Sequence, residues 1–342
     1  ESLAAVALQA DALIDVQTSH YWGDCELVIL GGFNATPSYS TFNTVFVVSD
    51  PDCPLVDTGF VVSSATLTQG SRTPTMGVFE GHGYVLLEAG LQVPNRAKTG
   101  TMNYTQSFKV NRFGVVSHPL SVDLTAHAGA IRYQYRRTSI HRLIVSGLTV
   151  REGAWNNQII YNIQRCNVRV ENVTVLPDYG SSALYRNTCE LILFTDCSDC
   201  ELDGFVSTGR PNDPGYSGYG LSIYGGADIR TRNMNGITGW GFTGTNRING
   251  WHVTDCVLNR VDVHDSAHNV FVSNCELHDI GVVYGWGGGI LSVRDCRLYN
   301  CAAVSVRSDY GGTFFGSFVI DGMDVVHDGT NRYYVLDGQR YK

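Results

Sequence analysis

The sequence predicts an all-β solenoid, because three segments between residues 251 and 310 repeat one pattern. Each segment is a short strand of alternating residues, followed by Asp or Asn, then by Cys, and then by one more alternating pair. The cysteines are Cys256, Cys275 and Cys296, so the repeat is 19 and then 21 residues long. A period near twenty with strand alternation is typical of one β-coil per repeat, whereas α-helical repeats are longer.

The composition of the 342-residue chain agrees with this fold class. Charged residues make up only 16%, while the chain contains 38 Gly and 18 Tyr, a balance that favours strands over helices. A net charge of −8 argues against nucleic acid and anionic membranes as partners, since basic patches recognise both. No apolar run approaches the roughly 18 residues that a membrane-spanning helix requires.

The repeat can be followed outward in both directions, with Asp, Asn or Gly at each corner because these residues tolerate left-handed backbone angles. The predicted corner residues are Gly147, Asn172, Asp203, Asn233, Asp255, Asn274, Asp295 and Asp321. The residue after each corner is expected to point inward and to stack on its counterpart in the next coil. The members of this internal ladder are Leu148, Val173, Met234, Cys256, Cys275, Cys296 and Met323. The cysteines are therefore interpreted as reduced core residues rather than as disulfides.

The sequence predicts one continuous domain with three parts. Residues 1–20 are predicted to be a short capping helix and lead-in that covers the open end of the stack. Residues 21–130 are predicted to form irregular first coils with long loops, and residues 131–342 regular coils. The helix is inferred from one apolar stripe formed by Leu3, Val6, Ala10, Leu13 and Ile14. Because the chain begins at Glu1 rather than Met, we expect it to be a piece of a longer protein.

Polar side chains alternate with valines on the strands that follow the corners, so the valines face inward and the polar residues outward. The outward residues of interest are Asp262, His264, Arg307 and Asp309. Since neighbouring coils lie roughly 4.8 Å apart, we expect these four within about two coils of one another. Carboxylates, imidazole and guanidinium on one wall suit a carbohydrate groove, although such residues also form plain ladder pairs on solvated faces.

Aromatic and polar residues near this band are candidates for binding a sugar chain, because aromatic faces stack on sugar rings. The candidate substrate-binding residues are Tyr224, Trp240, Glu276, His278, Asp279, Tyr284, Trp286 and Tyr310. The Cys197–Cys200 pair has zinc-like spacing but no second ligand pair at a matching distance. No metal site and no cofactor are therefore predicted.

The inward ladder, the helical lead-in and the Tyr- and Trp-rich face resemble phage tailspikes and neck appendages of the pectate-lyase-like superfamily. The segment Arg307-Ser-Asp-Tyr-Gly-Gly-Thr-Phe-Phe-Gly-Ser-Phe-Val-Ile-Asp-Gly looks like a stretch that recurs in some of these proteins. The resemblance covers roughly residues 130–330. It implies a right-handed, single-stranded parallel β-helix, a homotrimer on the virion, and binding or cleavage of a bacterial surface polysaccharide outside the host cell.

The resemblance leaves four functions open. The first is an endo-glycosidase acting on capsule, O-antigen or exopolysaccharide, with Asp262 and Asp309 as the carboxylate pair and His264 and Arg307 orienting them. The second is a teichoic-acid phosphodiesterase in which His264 or His278 moves protons and Arg307 holds phosphate. The third is a polysaccharide lyase with Arg307 or His264 as base, and the fourth a non-catalytic adhesin. The calcium-binding aspartates of pectate lyases are not evident in the sequence, which favours hydrolysis.

Overall fold

The computed structural model describes the greater part of the chain. The described residues are 14–16, 25–29, 43–58, 63–74, 77–94, 101–152, 158–177, 191–207, 219–237, 241–310, 313–329 and 336–339. Almost all of the regular structure in these residues is β-strand, and three short 3₁₀ turns (Ser64–Thr66, Thr125–Ala130 and Ser308–Tyr310) complete it. No helix among these residues has the length and apolar character needed to cross a membrane.

The strands are short where the chain coils and long where one strand bends around a corner. In chain order they are β1 (Ile14–Val16), β2 (Cys25–Ile29), β3 (Asn43–Ser49), β4 (Leu55–Thr58), β5 (Gly83–Pro94), β6 (Thr101–Val110), β7 (Arg132–Arg137), β8 (Leu143–Ser146), β9 (Leu148–Glu152), β10 (Gln158–Gln164), β11 (Val168–Glu171), β12 (Thr174–Pro177), β13 (Ile192–Ser198), β14 (Glu201–Asp203), β15 (Val206–Ser207), β16 (Tyr219–Arg232), β17 (Asn235–Gly236), β18 (Gly241–Thr254), β19 (Val257–Asp265), β20 (Ala267–Ser273), β21 (Glu276–Tyr284), β22 (Gly287–Arg294), β23 (Arg297–Tyr299), β24 (Val304–Arg307), β25 (Phe314–Asp321), β26 (Asp324–Val326) and β27 (Leu336–Gln339).

Twenty-three of these strands form one parallel sheet that winds around a single core, so the predicted parallel β-helix is confirmed. Each strand pairs in register with the strand one coil later. One inward column shows the stacking, with these residues paired in succession: Val170, Leu202, Thr231, Val253, Val272, Val293 and Ile320. Burying an apolar residue at nearly every level stabilises the stack, since each buried Val or Leu side chain contributes about 1.5–3 kcal/mol.

The corners of the coils use left-handed backbone angles, as the sequence predicts. Asn172, Asn233 and Asn274 have φ between 53° and 55°. In two coils the corner lies one residue later than predicted, at Gly204 and Gly322, with φ of 71° and 67°. Glycine adopts this conformation without steric cost, so it displaces the preceding aspartate as the corner residue.

The three cysteines of the repeat stack inside the coils, as predicted. Cys256, Cys275 and Cys296 are buried and free of disulfides. The backbone N–H after each inward residue donates to the carbonyl of the inward residue one coil earlier, from Glu276 to Cys256 and from Arg297 to Cys275. Each thiol also donates to the carbonyl two residues before it, at 3.0–3.1 Å. The thiols therefore act as small core side chains with satisfied hydrogen bonds.

The N-terminal third departs from the predicted organisation. Strands β4, β5, β6 and β7 form a separate antiparallel sheet in the order β4-β7-β5-β6, whereas the sequence pattern predicts irregular coils over residues 21–130. Strands β2 and β3 before it pair in parallel with β9 and β10, and the parallel stack resumes at β8 rather than at residue 131. Side chains such as Leu87, Phe108 and Tyr133 give this sheet its own buried core. Strand alternation looks the same in parallel and antiparallel pairs, which explains the difference.

Strand β6 packs along the stack and fixes the antiparallel sheet to the coils. Ser107 Oγ donates to the carbonyl of Arg247 at 2.7 Å, and Asn249 Nδ2 donates to the carbonyl of Ser107 at 2.7 Å. Trp286 leaves the coils and packs in the core of the antiparallel sheet beside Tyr104. The two units therefore share buried hydrogen bonds and a buried aromatic contact.

The predicted N-terminal helix lies mostly outside the described residues. Residues 14–16, its predicted end, form strand β1 and pair in parallel with β3 through Ile14 and Phe46. Pairing with an existing strand satisfies the backbone groups of these residues and overrides their helical pattern.

Candidate functional site

Two charged regions of the structure are candidates for the functional site. The first contains the four predicted catalytic residues, which the structure brings into direct contact. We call it the arginine-centred cluster, and its members are Tyr219, Arg260, Asp262, His264, Arg307 and Asp309. The second is a groove between the antiparallel sheet and the coils, described below.

Arg307 joins the two predicted catalytic carboxylates. Its Nη1 donates to both oxygens of Asp262 at 2.9 and 3.2 Å, while its Nε donates to Asp309 Oδ1 at 2.6 Å and its Nη2 donates to the other Asp309 oxygen. The register pairs Val263 with Tyr284 and Tyr284 with Val306, so Arg307 lies two coils after Asp262 and its long side chain spans that distance. A forked guanidinium shared by two carboxylates is a strong, geometrically fixed contact.

Asp262 has further partners on its other side. Arg260 Nη2 lies 2.6 Å from its carboxylate, the Tyr219 hydroxyl donates to it at 2.7 Å, and His264 Nε2 lies 3.2 Å away. Burial by itself would raise the pKa of Asp262, but His264, Arg260 and Arg307 together hold that pKa well below its ordinary value. Asp262 therefore stays ionised and cannot serve as a proton donor.

The arginine-centred cluster is closed to solvent at Asp262. The ring of Tyr219 lies against Gly244, where an added Cβ would come within 2.8 Å of the ring, and Gly244 pairs with Asp262 in the next coil. Asp262 is 0% exposed, whereas the side chain of Asp309 is 21% exposed. Asp262 faces out of the coil as predicted, but the predicted open groove over it is wrong because Tyr219 and two arginines cover it.

The predicted substrate-binding residues do not form one surface. Tyr284 points into the coil and donates to the carbonyl of Ala267, and Trp286 is buried in the second core. Their assignment to a sugar-binding face was wrong, because the inward register of Val263 and Val306 includes Tyr284. Tyr224 is half-buried on β16. Trp240 and the side chain of Tyr310 lie outside the described residues.

The remaining candidates lie on another face of the coils. His278 stacks on Tyr299 with ring centroids 4.5 Å apart and an interplanar angle of 5°, and Glu276 is its neighbour at 3.9 Å. Asp279 is exposed at a corner with φ of 55°. The stack covers one face of each ring, which leaves a sugar less ring area to pack on.

The second region is an open groove of about 1030 Å³, which we call the sheet–coil groove. Residues of the antiparallel sheet and its connections line one side, and strands β11, β14, β16 and β18 with their corners line the other. The residues used below are Lys109, Arg142, Asp199, Glu201, Asp228, Arg230 and His252. A volume at the upper end of the usual 300–1,000 Å³ range, lined for the most part by polar and charged residues, suits a hydroxyl-rich chain better than a compact apolar ligand.

Two carboxylates of the groove occupy the same corner in consecutive coils. Asp199 and Asp228 have φ of 57° and 52°, and the N–H of Asp199 donates to the carbonyl of Ala227. The antiparallel sheet and its connections supply a partner to each: Lys109 Nζ lies 2.5 Å from Asp199, and His118 Nε2 lies 3.0 Å from Asp228. Both carboxylates remain about one quarter exposed. The corner thus presents two accessible carboxylates backed by basic side chains.

The strand next to this corner carries a row of charged and aromatic residues. Glu201, Arg230 and His252 pair in register, one per coil. His252 stacks on Phe271 with ring centroids 4.7 Å apart, and burial followed by the charge of Arg230 lowers its pKa. A neutral imidazole beside a guanidinium can both donate and accept hydrogen bonds.

The sheet–coil groove was not predicted from the sequence. The register of Asp199 and Asp228 was readable from the corner pattern. The contribution of Lys109 and His118 was not, because it depends on how the antiparallel sheet docks. Arg260 could have been found, since it alternates in step with Asp262 on the same strand.

Similarity to known proteins is distant. No protein-family model and no curated protein sequence matches the chain. Among solved structures, it is similar to the tailspike of Pseudomonas phage phi297 (11% identity, 95% of this chain and 66% of that one, TM-score 0.43) and the tailspike of Pseudomonas phage LKA1 (10%, 99% and 70%, TM-score 0.43). A third is the tailspike of Acinetobacter baumannii bacteriophage AP22, solved with an A. baumannii capsular saccharide (10%, 99% and 69%, TM-score 0.32). Scores this low carry no argument about activity, and the chain is a parallel β-helix on the strength of its own strand pairing.

Proposed function

We propose that the protein is an endo-glycosidase that binds a bacterial surface polysaccharide in the sheet–coil groove and hydrolyses it there. The observation that supports this proposal is an open, polar groove of about 1030 Å³ with Asp199 and Asp228 side by side on its floor. Hydrolysis of a glycosidic bond needs two accessible carboxylates that flank the bond. The arginine-centred cluster offers only one, since Asp262 is fully buried.

The proposed roles follow from the contacts of each carboxylate. Asp228, with the imidazole of His118 at 3.0 Å, is assigned the proton transfers, first to the leaving glycosidic oxygen and then from the water that hydrolyses the glycosyl-enzyme intermediate. Asp199, paired with Lys109, is assigned the attack on the anomeric carbon. Consecutive coils are about 4.8 Å apart, and a carboxyl separation of about 5–5.5 Å is typical of retaining enzymes. Retention of anomeric configuration is therefore the proposed outcome.

The biological setting is proposed from the sequence resemblance alone. We infer a homotrimer on a phage tail that acts outside the host cell on capsule, O-antigen or exopolysaccharide. Analytical ultracentrifugation at several concentrations tests the trimer, and a single monomeric species would contradict it.

A panel of purified bacterial polysaccharides tests the reaction type. After incubation with the protein, size-exclusion chromatography is expected to show shortened chains of at least one polysaccharide, with no new ultraviolet absorbance. Unsaturated, ultraviolet-absorbing ends would identify a lyase, and binding without shortening would identify an adhesin. Either result would contradict the proposal.

A phosphodiesterase acting on teichoic acid is the second candidate. It is favoured by the two imidazoles and the cations near Asp228, because His118 and His252 could transfer protons while Arg230 and Lys109 hold a phosphate. Phosphate-bearing products from teichoic acid, together with intact glycosidic chains, would decide for this candidate.

A further inference from the structure

Most carboxylates of the sheet–coil groove already have basic partners within the described part of the chain. Glu201 is held by Arg142 at 2.6 Å and by Arg232 at 2.8 Å, and Asp203 is held by Arg169 at 2.8 Å and by Arg232 at 2.9 Å. These carboxylates lie in the strands beside Arg230 and already have guanidinium partners.

Arg230 stands apart from this network. Its register neighbours are Glu201 in the preceding coil and His252 in the following coil. It is exposed, lines the groove, and forms no ion pair with any residue that the structure describes. The nearby carboxylate of Asp228 already contacts His118 Nε2 at 3.0 Å. A guanidinium with no carboxylate partner on the floor of a groove attracts an anionic group of a ligand.

His252 lies beside Arg230 in the sheet–coil groove and is the second residue of the candidate binding position. Its ring is held by the stack on Phe271, which leaves the imidazole fixed next to Arg230. Burial lowers the pKa of His252, so the neutral ring adds a hydrogen-bonding group without further positive charge near neutral pH. One cation and one neutral donor suit a singly charged oxyanion flanked by a hydroxyl.

We propose that Arg230 and His252 form a subsite of the sheet–coil groove that binds an acidic sugar, one that carries a carboxylate or a phosphate ester. The inference rests on the proposed function, because it takes the groove to be the place where the polysaccharide lies. It narrows the substrate class to anionic polysaccharides. In this proposal Arg230 does not contact the scissile bond. It selects an acidic sugar and fixes the position of the polysaccharide along the groove.

Binding of three simple probes tests the subsite. Glucuronic acid, glucose 6-phosphate and glucose are titrated into the protein and followed by ligand-observed NMR at low salt. At least one of the two acidic probes is expected to bind at least about tenfold more tightly than glucose, because a charge-assisted hydrogen bond is stronger than a neutral one. The two acidic probes distinguish a uronate from a phosphate as the preferred group. Equal binding of all three probes, including no binding of any, would overturn the inference.

Two matched variants test whether Arg230 causes the preference for acidic probes. Arg230→Gln is expected to abolish the difference between acidic and neutral probes, and Arg294→Gln, an exposed arginine further along the same face, is expected to preserve it. Thermal unfolding controls for folding. If Arg230→Gln keeps the preference, the inference is wrong.

If the preference of the parent protein for acidic probes holds but no polysaccharide is shortened, the subsite stands and the proposed glycosidase fails. If a polysaccharide is shortened but no charge preference is found, the glycosidase stands and the subsite fails.

Discussion

The arginine-centred cluster and the sheet–coil groove contain the same kinds of side chain and differ in what surrounds them. In the cluster, Asp262 has ion-pair or hydrogen-bond partners on every side and no exposed surface. In the groove, Asp199 and Asp228 each have partners on the side of the antiparallel sheet and keep the other side open. A converging set of charged residues is therefore a site only where a ligand can reach it.

The largest expected difference between the regions is in catalysis. Asp228→Asn should lower the rate of polysaccharide shortening by about 10²–10⁴-fold, the usual contribution of a positioned acid or base. Asparagine accepts the left-handed backbone at this corner, so the fold is expected to persist. Asp309→Asn, the matched change in the cluster, should leave the rate within about threefold of the parent. Rates measured by size-exclusion chromatography with the opposite pattern would place catalysis at the cluster.

The loss of stability on mutation should be larger in the arginine-centred cluster than in the sheet–coil groove. Asp262→Asn removes the buried carboxylate that pairs with both Arg260 and Arg307, and removing one partner of a buried ion pair costs about 3–5 kcal/mol. The same change at Asp199, which is partly exposed, should cost less than about 1 kcal/mol. Urea unfolding followed by circular dichroism measures both values. Equal losses would show that the cluster is not the more tightly coupled region.

Acid should weaken the contact between the antiparallel sheet and the coils before it affects the arginine-centred cluster. His268 is buried between Tyr104 and Trp286 where the antiparallel sheet meets the coils, and burial lowers its pKa to about 3. The unfolded chain therefore binds a proton near pH 6.5 that the folded protein does not bind. The stability that depends on this group is complete above about pH 6.5 and should fall by up to about 1.4 kcal/mol per pH unit below it.

The control for this acid effect is His268→Gln, compared with the parent between pH 7 and pH 5. The variant should lose less stability across that interval because its unfolded chain has no imidazole to protonate. The same pH dependence in both proteins would show that another group is responsible.

The smallest expected effects come from the core that both regions share. Cys275→Ala removes one buried thiol from the ladder and should cost about 1 kcal/mol, with no preference for either region. The eight cysteines that the structure describes at side-chain level are free, so a reducing agent should leave the unfolding midpoint unchanged. A drop in the midpoint on reduction, with a disulfide mapped by mass spectrometry to Cys256, Cys275 or Cys296, would contradict the ladder interpretation.

Sequence patterns predicted more of the fold than of the site. The spacing of Cys256, Cys275 and Cys296 and the alternation around Asp262 were enough to predict the coil, the inward ladder and the proximity of Asp262 to Arg307. Exposure was not predictable, because Tyr219 covers Asp262 from two coils away across Gly244. The groove was not predictable either, since Lys109 and His118 reach the coils only through the docking of an antiparallel sheet whose strands looked like coil strands in the sequence.

The location of the substrate is the central claim, and hydrogen–deuterium exchange measures it most directly. Asp228→Asn, expected to bind a polysaccharide without cleaving it, is compared with and without a polysaccharide that the parent protein shortens. We expect slower exchange in residues 137–142, 199–201 and 228–230, the segments that contribute lining residues to the sheet–coil groove. Protection confined to residues 260–264 and 305–309 would contradict the claim and return the active site to the arginine-centred cluster.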